Sequence, residues 1–291
     1  MCCDGPVTGS DDDTDLEPAQ LRVIAEQLAT EAADFVRRRR VEVFGTGPDG
    51  SGGQHNPIRT KSSPTDPVTV VDTETERLLR DRLAQLRPGD AVLGEEEGGA
   101  ARAPAGRPVW VLDPIDGTVN FVYGLDAYAV SVGVQIDGVS VAGAVANAAT
   151  GEVFSAALGQ GAQARVGKDV IALRCNPIDD LSLALVGTGF NYDSDRRRGQ
   201  AAVVAELLPQ VRDVRRIGSC ALDLCMVAAG RLDAFYESGV HVWDWAAGAL
   251  IAAEAGAQRH LPPVESDELI VVAAPGIFDV LVDRLMRAGC R

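Results

Sequence analysis

From Leu21 to Phe44 apolar residues recur at helical spacing, with Leu21, Ile24, Ala25, Leu28, Ala32, Phe35 and Val36 on one face, which predicts an amphipathic helix. The arginine run 37–40 falls toward its end, where it serves either as a solvated, dipole-compensating turn or as an anion-binding patch. Residues 1–17 are polar and acidic and predict a disordered N-terminal tail, and the glycine-rich stretch Gly45 to Asn56 predicts a flexible loop. A second helix is expected from Thr73 to Leu86, opened by a Thr73/Glu76 capping box. After a short strand at Ala91–Leu93 and the apolar run Val109–Leu112, the period changes to two: Tyr128, Val130, Val132, Val134 and Ile136 alternate with small and polar residues. Asp137-Gly138 then predicts a hairpin into Val139–Ala146. Further strands are expected near 152–157, 170–173, 182–187, 213–217, 232–236 and 269–273. Helices are expected near 196–208, 221–229, 245–255 and 276–287, with Gly230 and Gly256 at two C-terminal caps. The outline is α+β, with two joined subdomains, roughly 18–160 and 161–291.

Composition narrows the function. At 291 residues the chain can bury a large core, and a net charge of −15 argues against nucleic acid or an anionic membrane as the main partner. A phosphorylated substrate stays open, because bound cations invert the field at a site. The six cysteines show neither C-x-x-C pairing nor zinc spacing and read as free thiols in a reducing compartment. With no membrane-length apolar run and an N-terminus carrying Asp11-Asp12-Asp13, a cytoplasmic protein is expected.

The chemistry concentrates in Asp113-Pro114-Ile115-Asp116-Gly117-Thr118, at the end of the apolar run. Proline biases Asp113 to an extended backbone, and Gly117 permits a sharp turn. Asp113, Asp116, the Ile115 carbonyl and Thr118 can then converge as an oxygen-only set suited to Mg²⁺; the alternative is a plain β-turn with solvated aspartates. Two further carboxylates sit near element ends: Glu95 after Gly94, otherwise a surface acid, and Asp244 after Trp243, otherwise a helix cap. No G-x-S-x-G elbow, Walker A motif or histidine-rich cluster competes with metal-assisted hydrolysis.

These motifs together resemble the inositol monophosphatase family of Mg²⁺-dependent, lithium-sensitive phosphatases. The segment Trp110–Phe121 resembles its first signature, Trp243–Gly248 continuing to Gly256 its second, and Gly94-Glu95-Glu96 its upstream glutamate. The Lys61–Asp72 segment resembles its mobile loop and the strand beyond. The resemblance, from Leu21 to Ala288, implies a layered α-β-α-β-α sandwich, a homodimer and two or three Mg²⁺ per active site. Glu95, Asp113 and the Ile115 carbonyl would hold the first ion, Asp113, Asp116 and Asp244 the second, and a third would sit beside Glu95. Thr118 backed by Asp72 would be the water-activating pair, and the backbone at Gly117 and Thr118 would bind phosphate. Asp116, Arg215, Gly218, Ser219, Cys220, Glu237 and Asp244 would contact the substrate. The implied substrate is myo-inositol 1-phosphate. Fructose 1,6-bisphosphate or another sugar or nucleotide phosphate is the alternative, as is a non-catalytic protein-interaction role in RNA processing or transcription.

Overall fold

The structure, a computed structural model, describes residues 17–45, 58–61, 67–264, 266 and 268–290. The expected tail, apart from Glu17, and the expected loop, apart from Gly45, lie outside these residues, as do positions 62–66 of the Lys61–Asp72 segment.

Among the described residues, β1 (Ile58–Thr60) and β2 (Pro67–Thr69) pair as a small antiparallel ribbon. An eight-stranded sheet holds β3 (Ala91–Gly94), β4 (Gly98–Gly99), β5 (Pro108–Asp116), β6 (Ala129–Ile136), β7 (Val139–Asn147), β8 (Val153–Ala157), β9 (Ala162–Val166) and β10 (Asp169–Ala172). Its order is β10-β9-β8-β7-β6-β5-β3-β4. The chain then builds a five-stranded sheet of β11 (Leu185–Thr188), β12 (Asp213–Arg215), β13 (Ala234–Glu237), β14 (Gln258–His260) and β15 (Ile270–Ala273), in the order β12-β11-β13-β15-β14. The helices are α1 (Pro18–Phe44), α2 (Val70–Leu86), α3 (Thr118–Tyr123), α4 (Ser194–Leu207), α5 (Cys220–Ala228), α6 (Val242–Glu254) and α7 (Phe278–Arg287).

Alternation along the strands produces the layers. In β5, Trp110 and Leu112 enter a core with Leu28, Val36, Leu79 and Leu83 of α1 and α2, while Val109 and Val111 enter a second core with α5 and α6. On the other side of α5 and α6, Phe235, Ile270 and Val272 close that second core, and their neighbours Tyr236, Val271 and Ala273 enter a third with Leu207, Leu281 and Leu285. The result is the expected α-β-α-β-α sandwich, each sheet being apolar on both faces because helices cover both. Close approach of α6 to the large sheet depends on glycine: a Cβ at Gly133 would stand 2.9 Å from Ala246 Cβ, and one at Gly143 2.9 Å from Ala247 Cα.

One expectation is corrected, one open alternative is decided and some elements are new. Helix α2 begins a turn earlier than Thr73: Thr69 is its N-cap, and the capping box is Thr69/Asp72 rather than Thr73/Glu76. Both pairs fit the capping pattern; burial of Val71, Thr75, Leu79 and Leu83 in one i, i+4 stripe selects the upstream start. The arginine run is not an anion patch, since Arg39 pairs with Glu42 and Glu74 while Arg37 and Arg40 donate to the Ala148 and Phe121 carbonyls. Helix α3 was not among the expected elements; Gly117 and Gly124, both left-handed, bracket its six residues. Strands β9 and β14 were also missed. Gly230 and Gly256 follow the caps Ala229 and Ala255 by one residue.

Candidate active site

Two residues three apart in a regular strand point to opposite faces. Asp113 and Asp116 escape this because β5 carries one extra residue relative to β6: Asp113 pairs with Ser131 and Asp116 with Ala129. The bulge sits at Pro114, which has no N–H for the ladder. Its effect is visible on both faces: Ile115 joins Trp110 and Leu112 in the α1/α2 core, and Asp116 turns to the α5/α6 side with Asp113. Asp244 arrives on that side from the first turn of α6, where its Oδ2 accepts from His241 N at 2.6 Å. It is therefore at once the cap-type residue and a member of the cluster. Ligand-capable oxygens of Asp113, Asp116 and Asp244 lie within 4.8 Å of one another.

The fourth acid, Glu95, follows β3, which runs parallel to β5, and its N–H donates to the Leu112 carbonyl at 3.1 Å. It lies against Asp113 and also lines the cleft, and Lys61 Nζ stands 2.7 Å from its Oε1. Burial, then the charges of Glu95, Asp116 and Asp244, push the Asp113 carboxyl well above the usual range. Burial and the charges of Asp116 and Glu95 do the same to Asp244. Asp116 is pushed up to about 6 by burial, against hydrogen bonds from Ser219 Oγ at 2.6 Å and Ala221 N at 2.7 Å. Oxygen-only carboxylates crowded in this way fit a hard divalent cation, and so does the Ile115 carbonyl, 3.0 Å from Thr118 Oγ1.

Thr118 opens α3 behind Gly117, whose φ of 93° suits glycine and whose added Cβ would meet the Ala127 and Gly218 carbonyls at 2.9 and 3.0 Å. The Thr118 hydroxyl reaches Asp72 Oδ1 at 3.2 Å. Asp72 Oδ2 accepts from Thr69 N and Oγ1 at 2.9 and 2.6 Å, and burial raises its carboxyl to about 6 against those bonds. The carboxylate of the α2 capping box thus reaches the chemistry of α3.

A cleft of about 390 Å³ joins these groups, lined by Glu95, Asp116, Gly117, Gly218, Ser219, Cys220, Glu237 and Asp244. Ser219 caps α5 by accepting from Leu222 N at 3.3 Å while its hydroxyl donates to Asp116. Glu237 ends β13, and burial lifts its carboxyl to about 8 although Arg216 opposes the shift. Arg215 is the residue misplaced by sequence reading. It is exposed and pairs with Asp213 at 2.5 Å, outside the cleft, whereas Arg216 lines it. Arg215 is the last residue of β12 and Arg216 the first beyond it, so the two adjacent side chains leave the chain in different directions. Asp223 was also missed; it is buried one turn into α5 and lines the same cleft.

The sequence model of the inositol monophosphatase family matches residues 17–272. An inositol-1-monophosphatase of Mycobacterium leprae is 65% identical over 280 residues, covering 94% of this chain and 96% of that protein. A protein of Vibrio cholerae named Nus factor SuhB is 37% identical over 199 residues, covering 68% of this chain and 73% of its own. The solved structure of Mycobacterium tuberculosis SuhB superposes with a TM-score of 0.80 at 57% identity, covering 94% of this chain and 98% of that one. A structure of a Thermotoga maritima IMPase gives 0.78 at 25% identity, over 93% and 98%. With its layered fold, its clustered carboxylates and this match along nearly its whole length, the chain belongs to the inositol monophosphatase family and is a phosphatase.

Proposed function

We propose that this protein hydrolyses phosphate monoesters of small polyols, myo-inositol 1-phosphate foremost, with two or three Mg²⁺ at the carboxylate cluster. The observation that carries the reading is the convergence of Asp113, Asp116 and Asp244 within 4.8 Å, with Glu95 alongside. Glu95, Asp113 and the Ile115 carbonyl would hold one ion, Asp113, Asp116 and Asp244 a second, and the outer side of Glu95 a third. When bound, these ions supply Lewis acidity toward water and the phosphoryl oxygens.

The chain's own groups do the rest. Thr118 has one hydroxyl proton; donating it to Asp72 leaves the Ile115 carbonyl free and turns a lone pair toward the cleft to orient the attacking water. Asp72, raised to about 6, is the proton acceptor behind it. Backbone N–H groups at Gly117 and Thr118 bind the phosphate. Glu237, Ser219, Cys220 and the Gly218 backbone face the polyol, with Asp116 and Asp244 reaching its hydroxyls, and Arg216 takes the place assigned to Arg215. Lithium inhibition, a homodimer and a cytoplasmic setting belong to the same reading. No described helix is long and apolar enough to cross a membrane.

Phosphate release from a panel of esters, with and without Mg²⁺, tests the proposal. Mg²⁺-dependent turnover preferring inositol 1-phosphate supports it, and preference for fructose 1,6-bisphosphate or a nucleotide moves the substrate. The second reading is a non-catalytic protein-interaction role in RNA processing or transcription; the Vibrio relative is named a Nus factor rather than a phosphatase. Folded protein inactive on every ester, or rescue of a null phenotype by Asp116→Asn, would favour that role.

A further inference from the structure

Helix α2 presents a ladder at i, i+4 spacing, Asp72, Glu76 and Arg80, to the two loops that form the site. Asp72 holds Thr118, as described above. Glu76 is fully buried, and its carboxylate accepts from two consecutive backbone amides, Glu96 N at 2.7 Å and Glu97 N at 3.1 Å. Arg80 completes the clamp, donating from Nε to Glu76 Oε1 at 2.8 Å and from Nη2 to the Gly98 carbonyl at 2.5 Å. The turn so held begins with Glu95, whose own N–H is tied to Leu112 of β5. Gly94 makes room for the arrangement: a Cβ there would lie 2.2 Å from Glu76 Oε1. A buried carboxylate is costly unless its oxygens are fully used, and here they are used on the peptide units next to Glu95.

We propose that Glu76 is a positioning residue for Glu95, setting the affinity of the carboxylate cluster for divalent cations by locking the Glu95–Gly98 turn. The proposal rests on the reading of Glu95 as a cation ligand. Glu76 touches neither cation nor substrate. It acts through two amides, so its removal should change the aim of Glu95 and leave the donor set complete. A glutamine at 76 keeps the shape but sets an N–H₂ against donors that both need an acceptor.

The test uses Mg²⁺ alone as probe, titrated by calorimetry into the full chain, with amide exchange at Glu96 and Glu97 as a second readout. Glu76→Gln is expected to weaken Mg²⁺ binding about tenfold or more and to speed exchange at both amides. Turnover should return to near the parent value at saturating Mg²⁺. In a Glu95→Gln background the same change should have no further effect on Mg²⁺ affinity. A folded Glu76→Gln protein with parent-like Mg²⁺ affinity overturns the proposal, as does a further loss in the Glu95→Gln background. If Glu76→Gln does not fold, Arg80→Met decides: weaker Mg²⁺ binding with faster exchange supports the clamp, and unchanged binding overturns it. Should Glu95→Gln itself leave Mg²⁺ binding intact, the functional reading of Glu95 fails, an outcome separate from failure of the clamp alone.

Discussion

Gly117→Ala perturbs the point where β5 turns into α3, and two separable costs meet there. The first is conformational: a φ of 93° places an alanine in the left-handed region, at about 1–2 kcal/mol. The second is steric: the new Cβ would stand 2.9 Å from the Ala127 carbonyl oxygen and 3.0 Å from that of Gly218, both backbone atoms that no rotamer change relieves. Overpacking of this kind costs about 1–3 kcal/mol more. The sum is about 2–5 kcal/mol. At roughly 2 °C per kcal/mol for a chain of this size, it lowers Tm by about 4–10 °C. Gly106→Ala is the control, since Gly106 has a φ of 75° and nothing within 4 Å of its added Cβ, so only the first cost applies. Melting by calorimetry without added cation should therefore separate the two variants by several degrees. Turnover should fall in Gly117→Ala alone, because relief of the clash displaces the Gly117 and Thr118 amides. If the two variants melt within about 1 °C of each other with equal turnover, the crowding argument is wrong.

Other perturbations address the remaining parts of the site. Asp244→Asn keeps an acceptor for His241 N but loses the charge, so kcat should fall roughly 10²-fold with little change in Tm; near-parent turnover would remove Asp244 from the cation site. Arg216→Ala should raise KM about tenfold, the worth of one charged contact, while Arg215→Ala, which loses an exposed pair with Asp213, should leave kinetics unchanged. Burial raises the Asp72 and Asp116 carboxyls to about 6 and Glu237 to about 8, so between roughly pH 4 and 8 the folded chain binds more protons than the unfolded one. Stability without cation should thus fall as pH rises through that window. The gain in Tm on adding Mg²⁺ should grow from pH 5 to pH 8, and a gain independent of pH would refute the linkage.

Much was legible in the sequence because its causes are local. The period-two run of β6, the Asp137-Gly138 turn with Asp137 at a φ of 51°, and the α1 stripe each depend on residues close in the chain. The acidic stations also declared themselves, because a proline followed by a glycine between carboxylates is a local instruction to turn. What they would do together was not written there. Convergence depended on the one-residue bulge of β5, which turns Asp116 to the same face as Asp113, and on glycines at 133 and 143 that admit α6 closely enough to deliver Asp244.

Where two local readings were equally good, tertiary packing chose between them. Thr69/Asp72 and Thr73/Glu76 are both capping pairs by pattern. Burial of Val71 and the hydrogen bond from Thr118 made the first the cap, and the Glu96 and Glu97 amides took the second carboxylate for the site's framework. Arg215, the last residue of β12, and Arg216, the first beyond it, are adjacent and chemically identical, and only their placement in the folded chain separates an exposed pair from a cleft residue. The amino-acid sequence by itself determined most of the elements, the oxygen-rich donors and the family. Which donors meet, which arginine faces the substrate and which carboxylates are buried was decided only by the tertiary structure, because side chains distant along the chain gain a common position only when the sheets and helices that carry them pack.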